Sequence, residues 1–268
     1  MNQILIQIIL GAVQGITEWL PISSSAMVTL INSNFLGITN IPQLIHMSLF
    51  LHLGTFLAAL IYFRKDVLYL TKSLFNYKTQ DNTTKKTLNF LIIATIISGI
   101  LGLLILFILD LIPDTFNITG KVITFCIAIL LLITGIIQIK VKKQGLKNEN
   151  KLKNSDGILL GIMQGIATLP GISRSGITIS TLMLNKFNDT TSLRLSFLMS
   201  LPIILAGNIL LNIPDFATIV TPVSLIGLMF SFIFGIATIS ILMKLSKKIN
   251  FGWFVLIFAI LMFLSLLI

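Results

Sequence analysis

Charge is what this chain has least of. Only 10 % of its 268 residues are charged while 55 % are hydrophobic, and mean hydropathy is +1.00. Soluble domains carry roughly 25 % charge, so water is excluded as the main solvent. Nine acidic residues face nineteen basic ones, for a net charge of +10. The basic residues fall in short tracts between apolar runs of bilayer-spanning length, so the excess reads as a membrane topology signal and excludes a nucleic-acid partner. The single cysteine, Cys126, lies inside an apolar run. That excludes a disulfide framework and a cysteine metal site, and leaves a core role. No basic residue precedes Arg64 and no small-x-small cleavage site follows the apolar start. The N-terminal segment therefore reads as part of the mature protein rather than a secretory signal.

What is present in abundance is apolar length. About 20 residues of helix cross the hydrocarbon, and six stretches meet that requirement: Gln43–Phe63, Thr87–Leu111, Lys121–Ile139, Ser192–Ile213, Thr218–Met243 and Phe251–Ile268. Two others, Asn2–Leu36 and Gly157–Met183, are interrupted near the middle by the polar runs Glu18–Ser25 and Leu169–Ser175. Each reads as a helix, a break and a second short helix. Unpaired backbone is tolerated at membrane depth only inside protein or against a wet cavity, so both segments are expected to be re-entrant hairpins.

Lysine and arginine set the orientation. Arg64–Lys86 and Lys140–Asp156 carry six each and Lys244–Lys248 three, whereas the intervening connections hold Asp110, Asp114 and Asp215 with only Lys121. With the basic connections in the cytoplasm, both termini fall outside and the two hairpins enter from opposite sides. The halves also resemble each other at an offset of 150 residues: Gly11-Ala-Val-Gln-Gly-Ile16 against Gly161-Ile-Met-Gln-Gly-Ile166, and Ile22-Ser-Ser-Ser25 against Ile172-Ser-Arg-Ser175. The expected fold is an all-α polytopic membrane protein, one transmembrane domain over 1–268. It has six transmembrane helices and two broken re-entrant hairpins (2–36 and 157–183), arranged as an inverted-topology repeat of 1–139 and 157–268.

Glu18 is the one acidic residue inside an apolar hairpin, and Arg174 the one basic residue at the centre of a break. Ionisable groups at membrane depth face a cavity or each other, and the repeat places these two at equivalent depths. Around them Ser23, Ser24, Ser25, Ser173, Ser175 and Thr178 supply hydroxyls, Gly171 and Gly176 admit close backbone approach, and a helix begins after each break. Those are the components of a phosphate receptacle, with a guanidinium whose planar fork can meet two phosphate oxygens. The alternative for Arg174 is an internal ion pair with Glu18 that holds the hairpins together. Any one serine can instead cap a helix or cross-link two. Glu18 could deprotonate a hydroxyl or a water, or hold a divalent cation, and Gln14 stands one turn before it. His46 and His52 share one span, where an interhelical hydrogen bond and a catalytic role are both open. The Asn-x-Thr triplets at Asn82, Asn117 and Asn188 carry no weight, since only Asn117 is on the expected outer side, close to the membrane.

The runs Gln14–Ser25, Leu51–Thr55, Tyr62–Asp66 and Pro170–Thr178 together resemble the undecaprenyl-diphosphate phosphatase (bacitracin-resistance) family, over essentially the whole chain. The resemblance implies hydrolysis of a polyisoprenyl diphosphate lipid to the monophosphate at the outer face of the cell membrane, with a divalent cation (Mg²⁺ or Ca²⁺). It also leaves a homodimer open. Gln14 and Glu18 match a motif assigned to metal binding or base action, and Ser24, beside Ser23, matches the nucleophile. Ser173, Arg174 and Thr178 match diphosphate-binding positions. Two positions depart from the pattern: Ala26-Met27 stands where Gly-His is usual, and Ser48 where an acidic residue is usual. Losing one general acid or base costs about 10²–10⁴-fold, which His52 could offset. Two other functions fit the same pattern, an isoprenyl phosphate transporter or flippase and a non-catalytic lipid-binding homologue.

Overall fold

The computed structural model describes residues 3–20, 22–36, 41–110, 145–169, 172–212 and 219–245, with single positions between 125 and 139 and between 256 and 263. Among the described residues the regular structure is helical: α1 (Gln3–Thr17), α2 (Ser24–Leu36), α3 (Ile41–Tyr62), α4 (Arg64–Phe75), α5 (Asn82–Asp110), α6 (Asn154–Ile166), α7 (Arg174–Leu184), α8 (Asp189–Asn212) and α9 (Pro222–Leu245). Among the described residues three helices are long and apolar enough to cross a membrane, at Asn82–Ile108, Asp189–Leu211 and Pro222–Lys244. A fourth crossing is present if Met47–Tyr62 and Arg64–Phe75, bent by 81°, count as one. The chain is a multi-pass membrane protein. The spans expected at Lys121–Ile139 and Phe251–Ile268, and Cys126 with them, lie largely outside the described residues.

Both broken segments form a helix, a break and a helix, and the same chemistry stops and restarts each. Ser23 Oγ accepts from the Ala26 amide at 3.3 Å, and Ser173 Oγ accepts from the Gly176 amide at 3.1 Å. These are N-caps on α2 and α7, each satisfying an amide that the first helical turn leaves without a partner. The prolines of the breaks, Pro21 and Pro170, and Gly171 lie outside the described residues.

One helix arises where the sequence reading has only a basic connection. α4 buries Leu70 and Ser73 while Leu68 and Phe75 stand 60 % and 83 % exposed on the face that carries Arg64 and Lys72. Apolar and basic side chains mixed on one exposed face suit the headgroup boundary. At the next turn Asp81 caps α5, its carboxylate accepting from the Thr83 and Thr84 amides at 2.9 and 3.2 Å. On the same side of the chain Arg194, at the start of α8, forms ion pairs with Asp66 of α4 (2.6 Å) and with Glu149 of the connection between the halves.

Packing crosses between the halves. α1 lies against α9, α6 against α5, and α3 against both α8 and α9. Glycines allow the first two approaches: a Cβ on Gly11 would meet the Gly227 carbonyl oxygen at 2.1 Å, and one on Gly161 would meet Ile97 Cβ at 2.8 Å. Close backbone contact of this kind drives helix association where lipid removes the hydrophobic incentive. The first break is anchored by its tryptophan. Trp19 is fully buried, edge-on to Phe197 of α8 at 4.8 Å, in a cluster with Ala58, Phe63 and Ile239 from three further helices or turns.

Candidate active site

Glu18 follows directly on the last turn of α1, where its amide still bonds the Gln14 carbonyl at 3.0 Å, so the carboxylate projects from the helix end into the break. Four side chains converge on it. Gln14 Nε2 donates to Oε2 at 2.9 Å, Ser24 Oγ donates to the same oxygen at 2.6 Å, and His52 Nε2 reaches it at 3.0 Å. Arg174 Nη2 donates to Oε1 across the interface between the hairpins. Glu18 itself is only 5 % exposed. The separation of 156 residues between Glu18 and Arg174 closes because the two breaks meet tip to tip, tied also by Ser175 Oγ donating to the Leu20 carbonyl at 2.7 Å.

Arg174 is held from behind. Its carbonyl accepts from Thr178 Oγ1 at 2.8 Å, and Thr178 Oγ1 is 2.6 Å from Ser196 Oγ on α8. The guanidinium stands over the Trp19 ring at 5.9 Å, within cation–π range. His52 is fixed in the same way, its Nδ1 lying 2.6 Å from the Ser48 carbonyl oxygen one turn earlier.

The cluster opens on a cavity of about 340 Å³ lined by Glu18, Ser23, Ser24, Ser25, Ser48, His52, Arg174 and Ser175. Its remaining wall is largely apolar, contributed by α5 (Gly99, Gly102, Leu103, Leu106) and α8 (Ile203, Ala206, Gly207, Leu210). Glycines on both helices keep that wall open. A polar head enclosed by two hairpins and an apolar slot between two long helices fits an amphipathic guest with a charged end.

The residues singled out in the sequence thus fall into two groups. Glu18, Ser23, Ser24, Ser25, Arg174 and Ser175 line the cavity. Ser173 and Thr178, 1 % and 0 % exposed, are engaged in the α7 cap and in holding Arg174, and are not among the cavity-lining residues. Gln14 reaches the site through Glu18 alone. The side chain of His46, like Gly171, lies outside what is described. Sequence reasoning missed Ser98 on α5 and Gln164 on α6, both lining the cavity, and Ser196 behind Thr178. Gln164 carried a signal, standing opposite Gln14 in the internal repeat, whereas Ser98 and Ser196 look like any hydroxyl in a membrane helix.

The model of the bacitracin resistance protein BacA family matches residues 7–264. The chain belongs to the BacA family. Its relatives include the undecaprenyl-diphosphatase of Methanococcoides burtonii, 40 % identical over 252 residues and covering 92 % of each chain. That of Haloarcula marismortui is 35 % identical, over 94 % of this chain and 93 % of its own. Undecaprenyl-diphosphatase 2 of Halalkalibacterium halodurans is 36 % identical, over 96 % and 94 %. A BacA match of this extent takes in both hairpins, so the meeting of Glu18 with Arg174 lies wholly inside the family region.

Proposed function

We propose that the chain is an integral membrane phosphatase that hydrolyses a polyisoprenyl diphosphate of the undecaprenyl type to the monophosphate and inorganic phosphate, recycling the carrier lipid. The observation that carries this reading is the convergence of Arg174, Ser24 and His52 on the one buried carboxylate of Glu18, inside a cavity whose far wall is apolar. The activity is that of the relatives from Methanococcoides burtonii and Haloarcula marismortui, both undecaprenyl-diphosphatases.

Both ring nitrogens of His52 face oxygen acceptors, the Ser48 carbonyl and the Glu18 carboxylate, an arrangement that suits a donating imidazole beside the Arg174 guanidinium, and donors on both sides of one carboxylate suit a diphosphate. His52 thereby supplies, from α3, the imidazole that the family usually carries after its serine cluster and that Met27 lacks. An arriving diphosphate competes with Glu18 for Arg174, whose fork can take two of its oxygens. Glu18, released from that pair, takes the proton of Ser24 Oγ as this oxygen bonds the terminal phosphorus and the anhydride P–O bond breaks. The bonding pair leaves with the lipid phosphate, which receives the proton. Water then attacks the phosphoserine, giving its proton to Glu18, which passes it to the departing Ser24 oxygen. Ser23, Ser25 and Ser175 line the path of the phosphoryl oxygens, while Ser173 and Thr178 set the position of Arg174.

A divalent cation, Mg²⁺ or Ca²⁺, fits beside this machinery. Gln14 Oε1 is buried without a donor, next to a carboxylate, although no group of three or more His, Cys, Asp or Glu exists among the described residues. A hard cation held by few protein oxygens and completed by phosphate and water matches that donor set. Gln14 and Glu18 would hold it, and it would neutralise charge on the phosphate oxygens.

The arrangement in the bilayer belongs to the same proposal: six spans, two re-entrant hairpins, an inverted repeat, the plasma membrane as location, and termini and site on the outer side. In its support, exchanging the halves carries α1 on α9 into α6 on α5, and α3 on α9 into α8 on α5, and all four contacts occur. The deciding test is phosphate release from undecaprenyl diphosphate by the purified protein in detergent with Mg²⁺ or Ca²⁺, beside Glu18→Ala and Arg174→Ala. Release that falls at least about 100-fold in both variants supports the reading. Intact substrate in detergent, with lipid crossing a sealed vesicle instead, would replace it with the transporter.

A further inference from the structure

Gln164, on the last full turn of α6, is 3 % exposed and lines the cavity that Glu18, Ser24 and Arg174 also line. Its Nε2 donates to Ser98 Oγ at 3.0 Å and to the Met199 carbonyl at 3.3 Å. A carbonyl can only accept, so the amide has one orientation and its oxygen is fixed as an acceptor. Gln164 Oε1 has no donor in the structure, and neither has the hydroxyl of Ser48, a residue 5 % exposed on the same cavity. Buried polar atoms in folded proteins are nearly always partnered, so orphans on two residues that line one cavity point to a guest.

The chemistry of the orphans selects that guest. A locked acceptor repels the oxygens of an ionised phosphate and admits a donor, and a small polar cavity site with several such groups suits water. The repeat adds an independent reason. Gln164 corresponds to Gln14, but Thr168 stands where Glu18 has its counterpart, so this half kept the amide without the base. An amide that orients a water while a carboxylate elsewhere takes the proton is an established division of labour in phosphoryl transfer.

We propose that Gln164 is the water-positioning residue of the site, its Oε1 accepting from the water that attacks the phosphorylated Ser24. The water oxygen forms the new P–O bond, the bond from phosphorus to Ser24 Oγ breaks, and the water proton reaches that oxygen through Glu18. Gln164 itself gains and loses no proton. The inference rests on the phosphatase reading.

The test uses the full chain in detergent with undecaprenyl diphosphate and added glycerol, which competes with water for the phosphoryl group. Inorganic phosphate and glycerol phosphate are both measured for wild type, Gln164→Leu and Ser98→Ala. Misplacing a reactant by about an ångström costs on the order of 100-fold, so Gln164→Leu is expected to lower kcat about 10- to 100-fold with little change in KM. It should also shift the product ratio toward glycerol phosphate, because only the water has lost its seat. Ser98→Ala, which leaves the Met199 carbonyl as the one acceptor holding the amide, should loosen its seat and move the ratio the same way by less, and it decides the matter if Gln164→Leu does not fold. An unchanged ratio in a folded variant, or a raised KM at unchanged kcat, overturns the assignment and leaves the phosphatase standing. A wild type that releases no phosphate removes both.

Discussion

Glu18 is bound so fully that its partners define what it can do. Three donors share Oε2 and a guanidinium takes Oε1, so the carboxylate has one orientation and the resting site is closed on itself. Arg174 is the partner that substrate can take away, since it alone reaches Glu18 from the other hairpin. Replacing it with lysine keeps a charge but loses the planar fork. Arg174→Lys should therefore lower kcat/KM about 10²- to 10³-fold, measured by phosphate release, while the folded yield in detergent stays near wild type. Activity within a few-fold of wild type would mean that the fork is not used. The identity of this pair was legible in the sequence, because an isolated acid and an isolated base in two matching breaks have few other reasons to exist. The roles of Ser173 and Thr178 were not, since a hydroxyl at a helix start reads equally well as a cap or as a ligand until its partner is known. His52 was half legible: its residue type pointed to the site, but only the fold brings α3 alongside Glu18.

Among the elements, the breaks owe their position to caps and the helices beside them to glycine. α1 touches α9 through backbone at Gly11, where a Cβ would stand 2.1 Å from a carbonyl oxygen that cannot move without its helix. At Gly161 the nearest atoms are Ile97 Cβ at 2.8 Å and the Ala94 carbonyl oxygen at 3.0 Å, a smaller overlap than at Gly11. Overpacking of this kind costs about 1–3 kcal/mol, so Gly11→Ala should lower the thermal midpoint in detergent, and Gly161→Ala should lower it less. Equal midpoints for Gly11→Ala and wild type would show that the α1–α9 approach is looser than described. Of the expected spans, those that the described residues show as long apolar helices were legible from apolar length to within a few residues at each end, Ser192–Ile213 against Asp189–Asn212 and Thr218–Met243 against Pro222–Leu245. α4 was not, because its apolar residues are interleaved with Arg64, Lys65 and Lys72 and read as a basic loop. At twelve residues α4 is also too short to cross the hydrocarbon, so a search for spans passes over it.

At the scale of the molecule, each half supplies what the other lacks: Glu18 and Ser24 come from the first, Arg174 and Gln164 from the second, and all four line one cavity. A chain divided between residues 140 and 145 should give two fragments that copurify when made together and release phosphate, and neither fragment should be active alone. Phosphate release by a single fragment would contradict a site shared between halves. The same exchange of contacts has a consequence for synthesis. Gly11 lies against Gly227, so α1 is made long before its seat, and at about 5–20 residues per second the ribosome delivers that seat roughly 10–45 s later. For the first 156 residues that follow Glu18, about 8–31 s at that rate, the nascent chain holds this carboxylate at a membrane without Arg174, a polar group awaiting its partner. The pairing waits for the break of the second half, and the seat of α1 for α9, which makes the insertion machinery, rather than the finished bilayer, the first host of this carboxylate.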